Sequence, residues 1–293
     1  MAGSEPYATD DDRWRAVRDR DEDADGHFVY VVHTTGVFSR PSCVARHARR
    51  ANVSFFAAPA QARAAGYRPC RRCRPEEPDL SERHAAAVTK ACRLIEQSPS
   101  APSLDELARL AGFSRFHFHR VFKSFTGITP HDYISASRTA RVRRELVRAE
   151  TVADAIYTAG FSSNGHFYAA SDDMLGMTPS AFRAGGRGVS MRSVTGESFL
   201  GPVLVAAAPK GVSAVLIGGP PTELRRQLVD LFPNATVHDA DARFRLSVLR
   251  ALALIPAPAS ALLPADVCRI ALQHQIRHGV RGSVTSHAPR RAG

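Results

Sequence analysis

Apolar residues in the middle of the chain recur with the period of amphipathic helices. Ser103 and Glu106 have the spacing of a capping box that begins a short helix, and Gly112 follows where that helix ends. Ser114 is placed to cap a second helix, which buries one apolar face: Phe118, Val121, Phe122 and Phe125. The opposite face carries Arg115, Phe116, His119, Arg120 and Lys123. This pattern predicts a helix-turn-helix unit whose second helix enters the major groove of DNA.

A second copy of the unit follows. The stretch GFSRFHFHRVFKSFTGITP (112–130) is echoed by GFSSNGHFYAASDDMLGMTP (160–179), and residues 131–150 between them predict a connecting helix. When the copies are aligned on their Thr-Pro ends, Ala169 corresponds to Arg120, so we expect the first copy to dominate base reading. An all-helical core repeat without a DNA role is the alternative. The predicted DNA contacts are Arg115, His119, Arg120, Lys123, Asn164 and His166, with Arg143 or Arg144 on backbone phosphate.

The last hundred residues have a different pattern. Residues 198–219 predict two strands joined by a turn at 209–211, and helices are expected at 221–232 and 241–254. Beyond Pro264 the sequence is rich in His, Arg and Gly, and we expect it to be poorly ordered.

Charge is unevenly distributed along the 293 residues, whose net charge of +11 favours a polyanionic partner. Residues 1–26 hold nine carboxylates and four arginines, whereas residues 34–74 hold nine arginines and no carboxylate. The arginine block predicts a surface that contacts phosphate, and a solvated basic face is the alternative. No apolar run is long enough to span a bilayer and the N-terminus lacks the pattern of a signal peptide, so a cytoplasmic location is expected.

The five cysteines are odd in number, which argues against a disulfide framework. Three of them fall inside the arginine block with the spacing Ser39-x3-Cys43-x26-Cys70-x2-Cys73. Thiolates at such spacing suit tetrahedral Zn2+, so Cys43, Cys70 and Cys73 are the predicted ligands. The alternative is that Cys43 is an ordinary buried thiol.

The stretch FVYVVHTTGVFSRPSCVARHARRANVSFFAAPAQARAAGYRPCRRCRP (28–75) resembles the N-terminal zinc domain of Ada-type adaptive-response proteins. In that family four cysteines bind zinc, and the first irreversibly takes a methyl group from a DNA methylphosphotriester. Cys43, Cys70 and Cys73 match three of these cysteines, whereas Ser39 occupies the acceptor position. A serine hydroxyl is hard to ionise and binds zinc poorly, so the departure implies that methyl acceptance is lost there.

The resemblance leaves two questions open at this site. Water or His47 would complete the coordination of zinc, and Cys43 is a candidate substitute acceptor.

In the family, methylation removes negative charge at the zinc site and strengthens DNA binding. Because Ser39 already lacks that charge, we expect DNA binding that is partly switched on and insensitive to alkylation. The phosphate contacts expected from this module are Arg46, Arg68, Arg71 and Arg72.

The paired helix-turn-helix units resemble the AraC/XylS-type DNA-binding domain. The strands and helices after them resemble the N-terminal, ribonuclease-H-like part of O6-alkylguanine-DNA alkyltransferases, which follows the AraC unit in Ada-type proteins. In those proteins a Pro-Cys-His-Arg active-site run comes later. Cys268 lies instead in the run ADVCRI, so no catalytic role is assigned to it.

Together these patterns and resemblances predict a multidomain α+β protein: a small zinc-binding α/β module, an all-α double helix-turn-helix domain and a partial ribonuclease-H-like α/β domain. The expected function is a zinc-containing, sequence-specific transcriptional regulator of the alkylation response, with promoter DNA, alkylated DNA and RNA polymerase as partners. The alternatives are a bifunctional regulator and repair methyltransferase acting through Cys43, and a decayed homologue with an unstable C-terminal half. The expected segments are an acidic tail (1–9), the zinc module (10–80), the helix-turn-helix domain (84–186), the alkyltransferase-like domain (192–264) and a degenerate tail (265–293).

Overall fold

The computed structural model describes residues 6–98, 100–161, 163–257 and 262–284. The chain separates into two units, Met1–Arg83 and His84–Gly293, each with its own hydrophobic clusters. No helix in the described residues is both long and apolar enough to cross a bilayer.

The N-terminal unit is built on a small sheet with strand order β3-β1-β2-β4. Strands β1 and β2 and strands β1 and β3 are antiparallel, whereas β2 and β4 are parallel. Alternate residues of β1 face opposite sides of the sheet, so Val31 and Tyr30 belong to different hydrophobic clusters. Cys43 lies in the cluster of Tyr30. The elements are α1 (Asp10–Asp19), β1 (Val29–Val32), β2 (Val37–Ser39), a 3-10 turn (Arg50–Asn52), β3 (Val53–Phe56), α2 (Pro59–Ala64) and β4 (Arg68–Pro69).

Seven helices follow along the chain, and the two caps predicted from the sequence, at Ser103 and Ser114, are both present. Ser103 and Glu106 form the capping box of α4, and the Ser114 hydroxyl accepts the main-chain N–H of His117 at the start of α5. The connecting helix is α6, and two short helix pairs, α4–α5 and α7–α8, lie on either side of it in the chain. The helices are α3 (Leu80–Gln97), α4 (Leu104–Ala111), α5 (Arg115–Thr126), α6 (Pro130–Arg148), α7 (Val152–Thr158), α8 (Asn164–Leu175) and α9 (Pro179–Arg183).

A second sheet follows, with strand order β7-β6-β5-β8. The β6–β7 hairpin and the two helices after it match the prediction, whereas β5 and β8 were not predicted. Side chains of the sheet and of the helix-turn-helix region share one hydrophobic cluster, in which the ring of Phe182 meets that of Phe232 edge-on, with 5.3 Å between centroids. The elements are β5 (Ser190–Ser198), β6 (Gly201–Ala208), β7 (Gly211–Ile217), α10 (Pro221–Leu231), β8 (Thr236–Asp239) and α11 (Ala242–Leu254).

The expectation of a poorly ordered segment after Pro264 is wrong for residues 265–284, which form α12 (Ala265–Val284). Apolar residues recur at helical spacing along α12, and its buried side chains join two hydrophobic clusters of the second unit. The content of His, Arg and Gly in this segment suggested disorder, whereas the spacing of its apolar residues predicts a helix. Residues 285–293, the rest of the predicted tail, lie outside the described residues. The buried side chains of α12 include Val267, Cys268, Ala271, Leu272, Ile276 and Val280.

Candidate metal centre and nucleic-acid interface

Pairing of β2 with β4 brings the cysteines together. The Cys70 N–H donates to the Phe38 carbonyl oxygen at 2.9 Å, which places the start of the Cys-x2-Cys turn beside the end of β2. Cys43 follows β2 through a turn in which its N–H donates to the Arg40 carbonyl oxygen at 3.1 Å. The Arg40 N–H points at the Cys73 sulfur, 3.4 Å away.

The three sulfurs have the separation that a metal requires. Those of Cys43, Cys70 and Cys73 all lie within 4.8 Å of one another, and Cys43 and Cys70 are 4.0 Å apart. Zinc–sulfur bonds of about 2.3 Å in a tetrahedron separate two sulfurs by about 3.8 Å. All three thiols are free of disulfides. The cluster therefore fits three corners of a zinc site, and the predicted ligand residues lie together.

The pKa values of two thiols in the cluster shift in opposite directions. A hydrogen bond from Cys73 lowers the pKa of Cys43 to about 5, and the Ser39 hydroxyl acts in the same direction. The same hydrogen bond raises the pKa of Cys73, because that thiol keeps its proton. Bound Zn2+ would favour the thiolate form of every sulfur it contacts.

Ser39 ends β2 at the cluster. Its side chain is 4% exposed, and it lies opposite Tyr30 in the β1–β2 register. His47 is exposed and lies outside the group of described side chains that could share a metal ion. The geometry therefore does not favour His47 as a fourth ligand.

Arg40 has a structural role that its sequence context does not indicate. It is 8% exposed, and its guanidinium donates to the main-chain oxygens of Cys73, Arg74 and Glu77. The side chain thus fixes the turn that carries two of the sulfurs, and it is not part of a phosphate-binding surface. Sequence alone offers no signal that separates Arg40 from its eight neighbours in the arginine block.

Other arginines of that block also have partners within the N-terminal unit. Arg63 pairs with Glu76, and Arg74 is 3.3 Å from Glu77. Arg50 lies over the rings of Trp14 and Phe55, at 5.8 and 5.3 Å. The four arginines predicted to contact phosphate are exposed: Arg46, Arg68, Arg71 and Arg72.

Helix α5 presents its predicted reading face to solvent. Arg115 lies 3.8 Å from Asp105, and Arg120 contacts the His117 ring at 3.3 Å. Phe116 differs from its charged and polar neighbours on this face, because it is a large apolar residue and is 89% exposed. The sequence places Phe116 on the outer face of α5, although the contacts predicted on this helix are its cations and His119. The four predicted contacts on this helix are all exposed: Arg115, His119, Arg120 and Lys123.

Helix α8 is less available to a partner. Asn164 and His166 at its start are exposed, but the helix packs against β7, and Lys210 lies 3.0 Å from Asp172.

The proposed phosphate contact of Arg143 is wrong. Its guanidinium donates instead to the main-chain oxygens of Met174 and Ser213, inside the second unit. Arg144 is exposed and contacts Glu145.

Two family profiles match the chain. The metal-binding domain of Ada matches residues 12–76, which contain the cysteine cluster, and a helix-turn-helix domain matches residues 107–185.

Curated relatives match over most of the length. The chain is 41% identical over 274 residues to the bifunctional transcriptional activator/DNA repair enzyme Ada of Escherichia coli, covering 93% of this chain and 77% of the relative. It is 30% identical to the bifunctional transcriptional activator/DNA repair enzyme AdaA of Bacillus subtilis, covering 59% and 82%. Among solved structures, a methylated N-Ada/DNA complex aligns with 49% identity over 44% of this chain and 98% of its own, with a TM-score of 0.40.

Proposed function

The chain belongs to the Ada family, and on that premise we propose that it is a zinc-containing, sequence-specific regulator of transcription in the alkylation response that does not accept methyl groups at residue 39. The observation that carries this proposal is Ser39, which is buried and whose hydroxyl is hydrogen-bonded to Cys43 of the three clustered thiols. The E. coli and B. subtilis relatives are named as both activators and repair enzymes. Of these two activities, we assign the first to this chain.

The chemistry of the side chain supports the loss of methyl transfer. A thiolate attacks the methyl carbon of a phosphotriester, the carbon–oxygen bond breaks, and a thioether and a phosphodiester anion result. A serine hydroxyl would have to lose its proton first, and it is a harder and weaker nucleophile than a thiolate. Cys43, Cys70 and Cys73 would hold Zn2+, which supplies a fixed positive charge that keeps the sulfurs ionised.

Two basic surfaces support binding of DNA. Exposed arginines of the N-terminal unit suit sequence-independent contacts with phosphate, whereas the reading face of α5 offers groups that match base edges. Arg120 suits a guanine edge, and the exposed Phe116 ring suits the methyl group of thymine. RNA polymerase is the further partner that we propose, by analogy with the activators of the family.

We also propose that residues 192–264 correspond to the ribonuclease-H-like part of an alkyltransferase. Three antiparallel strands, a crossing helix and a parallel fourth strand are compatible with that origin. The 293 residues contain no Pro-Cys-His-Arg run. Cys268 is buried in α12, and burial raises the pKa of its thiol, which disfavours a role as a nucleophile.

The second candidate function is stoichiometric repair through Cys43. The lowered pKa of this thiol favours it, because a thiolate is the attacking species. Its side chain is 3% exposed, which limits the approach of a phosphotriester. A methyl group on Cys43 would establish repair activity. It would contradict the proposal that this chain regulates transcription without accepting methyl groups.

The deciding experiment compares the natural chain with Ser39→Cys. Both are loaded with Zn2+, incubated with DNA that carries methylphosphotriesters, and examined by mass spectrometry of their peptides. We expect one methyl group on residue 39 of the variant and none on the natural chain. Because both chains keep the three cysteines, a titration with zinc serves as the control for an intact site.

DNA affinity provides the second readout. The natural chain should bind its selected duplex equally well before and after methylating treatment, whereas Ser39→Cys should bind more tightly once it is methylated. A strong rise in the affinity of the natural chain after treatment would contradict the proposal.

A further inference from the structure

A cavity of about 230 Å3 lies in the second unit between α6, α8, the start of β7 and α12. Its lining holds four arginine and lysine side chains and two histidines, but a single carboxylate, that of Asp173. Such an excess of cations around a partly open cavity is unusual, since proteins generally pair charges that are withdrawn from water. We call this space the α6–α12 cavity; its charged lining includes Arg138, Asp173, Lys210, His274, Arg277 and Arg281.

Two of the cations are already neutralised. Arg281 forms an ion pair with Asp173, and Lys210 lies 3.0 Å from Asp172. Both pairs join α8 to the C-terminal part of the second unit. Of the arginine and lysine side chains that line the cavity, the counter-charges of Arg138 and Arg277 remain to be identified.

Neither remaining guanidinium has an acidic partner in the described part of the chain. Arg277 donates to the main-chain oxygen of Val212 at 2.6 Å, and Arg138 lies 5.3 Å from the centroid of the Phe161 ring. A carbonyl oxygen or an aromatic face offers only partial negative charge. Two positive charges therefore line one cavity without a full counter-charge.

Burial makes this arrangement costly. It lowers the pKa of Arg277 to about 10, and it lowers the pKa of the neighbouring Arg143, which the charge of Arg277 lowers further. Arg143 too is satisfied only by main-chain oxygens, those of Met174 and Ser213. An anion in the cavity would offset the repulsion among these groups and stabilise the packing of α12 on α6.

We propose that the α6–α12 cavity binds a small oxyanion of the phosphate class, held by Arg138 and Arg277. Planar guanidinium groups match the oxygens of such an anion through paired N–H donors. The cavity volume of about 230 Å3 limits the ligand to a small ion, because pockets for drug-sized molecules begin at about 300 Å3. Inorganic phosphate is the occupant to which we commit, and a phosphodiester of bound DNA is the competing source of the same chemistry.

The test measures binding of inorganic phosphate to the full zinc-loaded chain by calorimetry and by the rise in melting temperature of the second unit. We expect one strong site, and we expect Arg138→Gln and Arg277→Gln each to weaken it by roughly tenfold or more. Arg269→Gln is the matched control, because Arg269 lies exposed on the same helix as Arg277 and away from the cavity. If Arg277→Gln fails to fold, Arg138→Gln carries the test.

The outcomes separate the possible sources. Loss of phosphate binding in Arg138→Gln, with Arg269→Gln unchanged, supports the site. An absence of phosphate binding overturns it, as does equal binding by all variants, which would locate phosphate on the DNA-reading surfaces. A variant that loses affinity for duplex DNA but keeps its affinity for inorganic phosphate would also overturn it, in favour of the DNA backbone.

Discussion

Phe116 is the large apolar residue among the exposed side chains of α5, and it lies on the same face as the predicted base contacts. Phe116→Ala should weaken binding to a duplex selected by the chain itself by about 1–2 kcal/mol, since the ring would be buried against a thymine methyl group. Fluorescence anisotropy of labelled duplex measures this. The melting temperature should stay unchanged because the ring packs on nothing in the free protein.

Tyr168 provides the matched control for Phe116. It is the exposed aromatic residue of α8, where the reading face lacks arginine. Tyr168→Ala should alter DNA affinity far less than Phe116→Ala. Equal losses in the two variants would refute a dominant role for α5.

The residues of the metal centre differ in how well sequence reveals them. The spacing of Cys43, Cys70 and Cys73 was enough to predict that they meet, because cysteine chemistry limits the choices. Arg40 belongs to the arginine block that predicts a phosphate-contacting surface, although it is not one of the four named contacts, because an arginine that holds main-chain oxygens looks the same in sequence as one that faces DNA. The fold distinguishes a structural arginine from one that faces DNA. Pairing of β2 with β4 brings Arg40 within reach of the Cys73 carbonyl oxygen.

At the scale of elements, α12 makes the clearest stability prediction. Ile276 is fully buried in a cluster with β-strand and α11 side chains. Ile276→Ala should reduce the free energy of unfolding of the second unit by about 2–5 kcal/mol, because it leaves a cavity in a packed core. Urea denaturation followed by helical circular dichroism measures the loss.

A leucine on α11 serves as the control for Ile276. Leu254 is 82% exposed, so Leu254→Ala should change the free energy of unfolding by less than about 0.5 kcal/mol. A small effect of Ile276→Ala would mean that α12 does not contribute to the core.

Elements with local signals were predictable, and elements that depend on distant partners were not. Capping residues at Ser103 and Ser114 located two helix starts, because a cap acts within one turn of its helix. Strand β5 (SMRSVTGES) is largely polar, and β8 is a short edge strand. Their formation depends on pairing with each other and with β6, which no local pattern encodes.

At the scale of the whole molecule, the two units should respond differently to removal of metal. The N-terminal unit has a small core built around the thiol cluster, so a chelator should unfold it, whereas the second unit should keep its helices. Trp14 is the only tryptophan of the chain and lies in the N-terminal unit, so its fluorescence reports on that unit alone. Circular dichroism at helical wavelengths follows the other.

The control for metal removal is Cys70→Ser, which weakens the site by one sulfur. Its Trp14 fluorescence should change at a lower chelator concentration than that of the natural chain. Simultaneous loss of the fluorescence signal and of most helical signal would show that the units do not unfold separately.

The edge-on contact between Phe182 and Phe232 affects how the DNA-reading half can be prepared by itself. A chain shortened after α9 would leave the Phe182 ring and its apolar surroundings open to water. Such a fragment should be prone to self-association at high concentration, and replacing Phe182 with a polar residue would improve its solubility. The protein is therefore easier to handle with its C-terminal half attached, even in experiments that concern DNA binding alone.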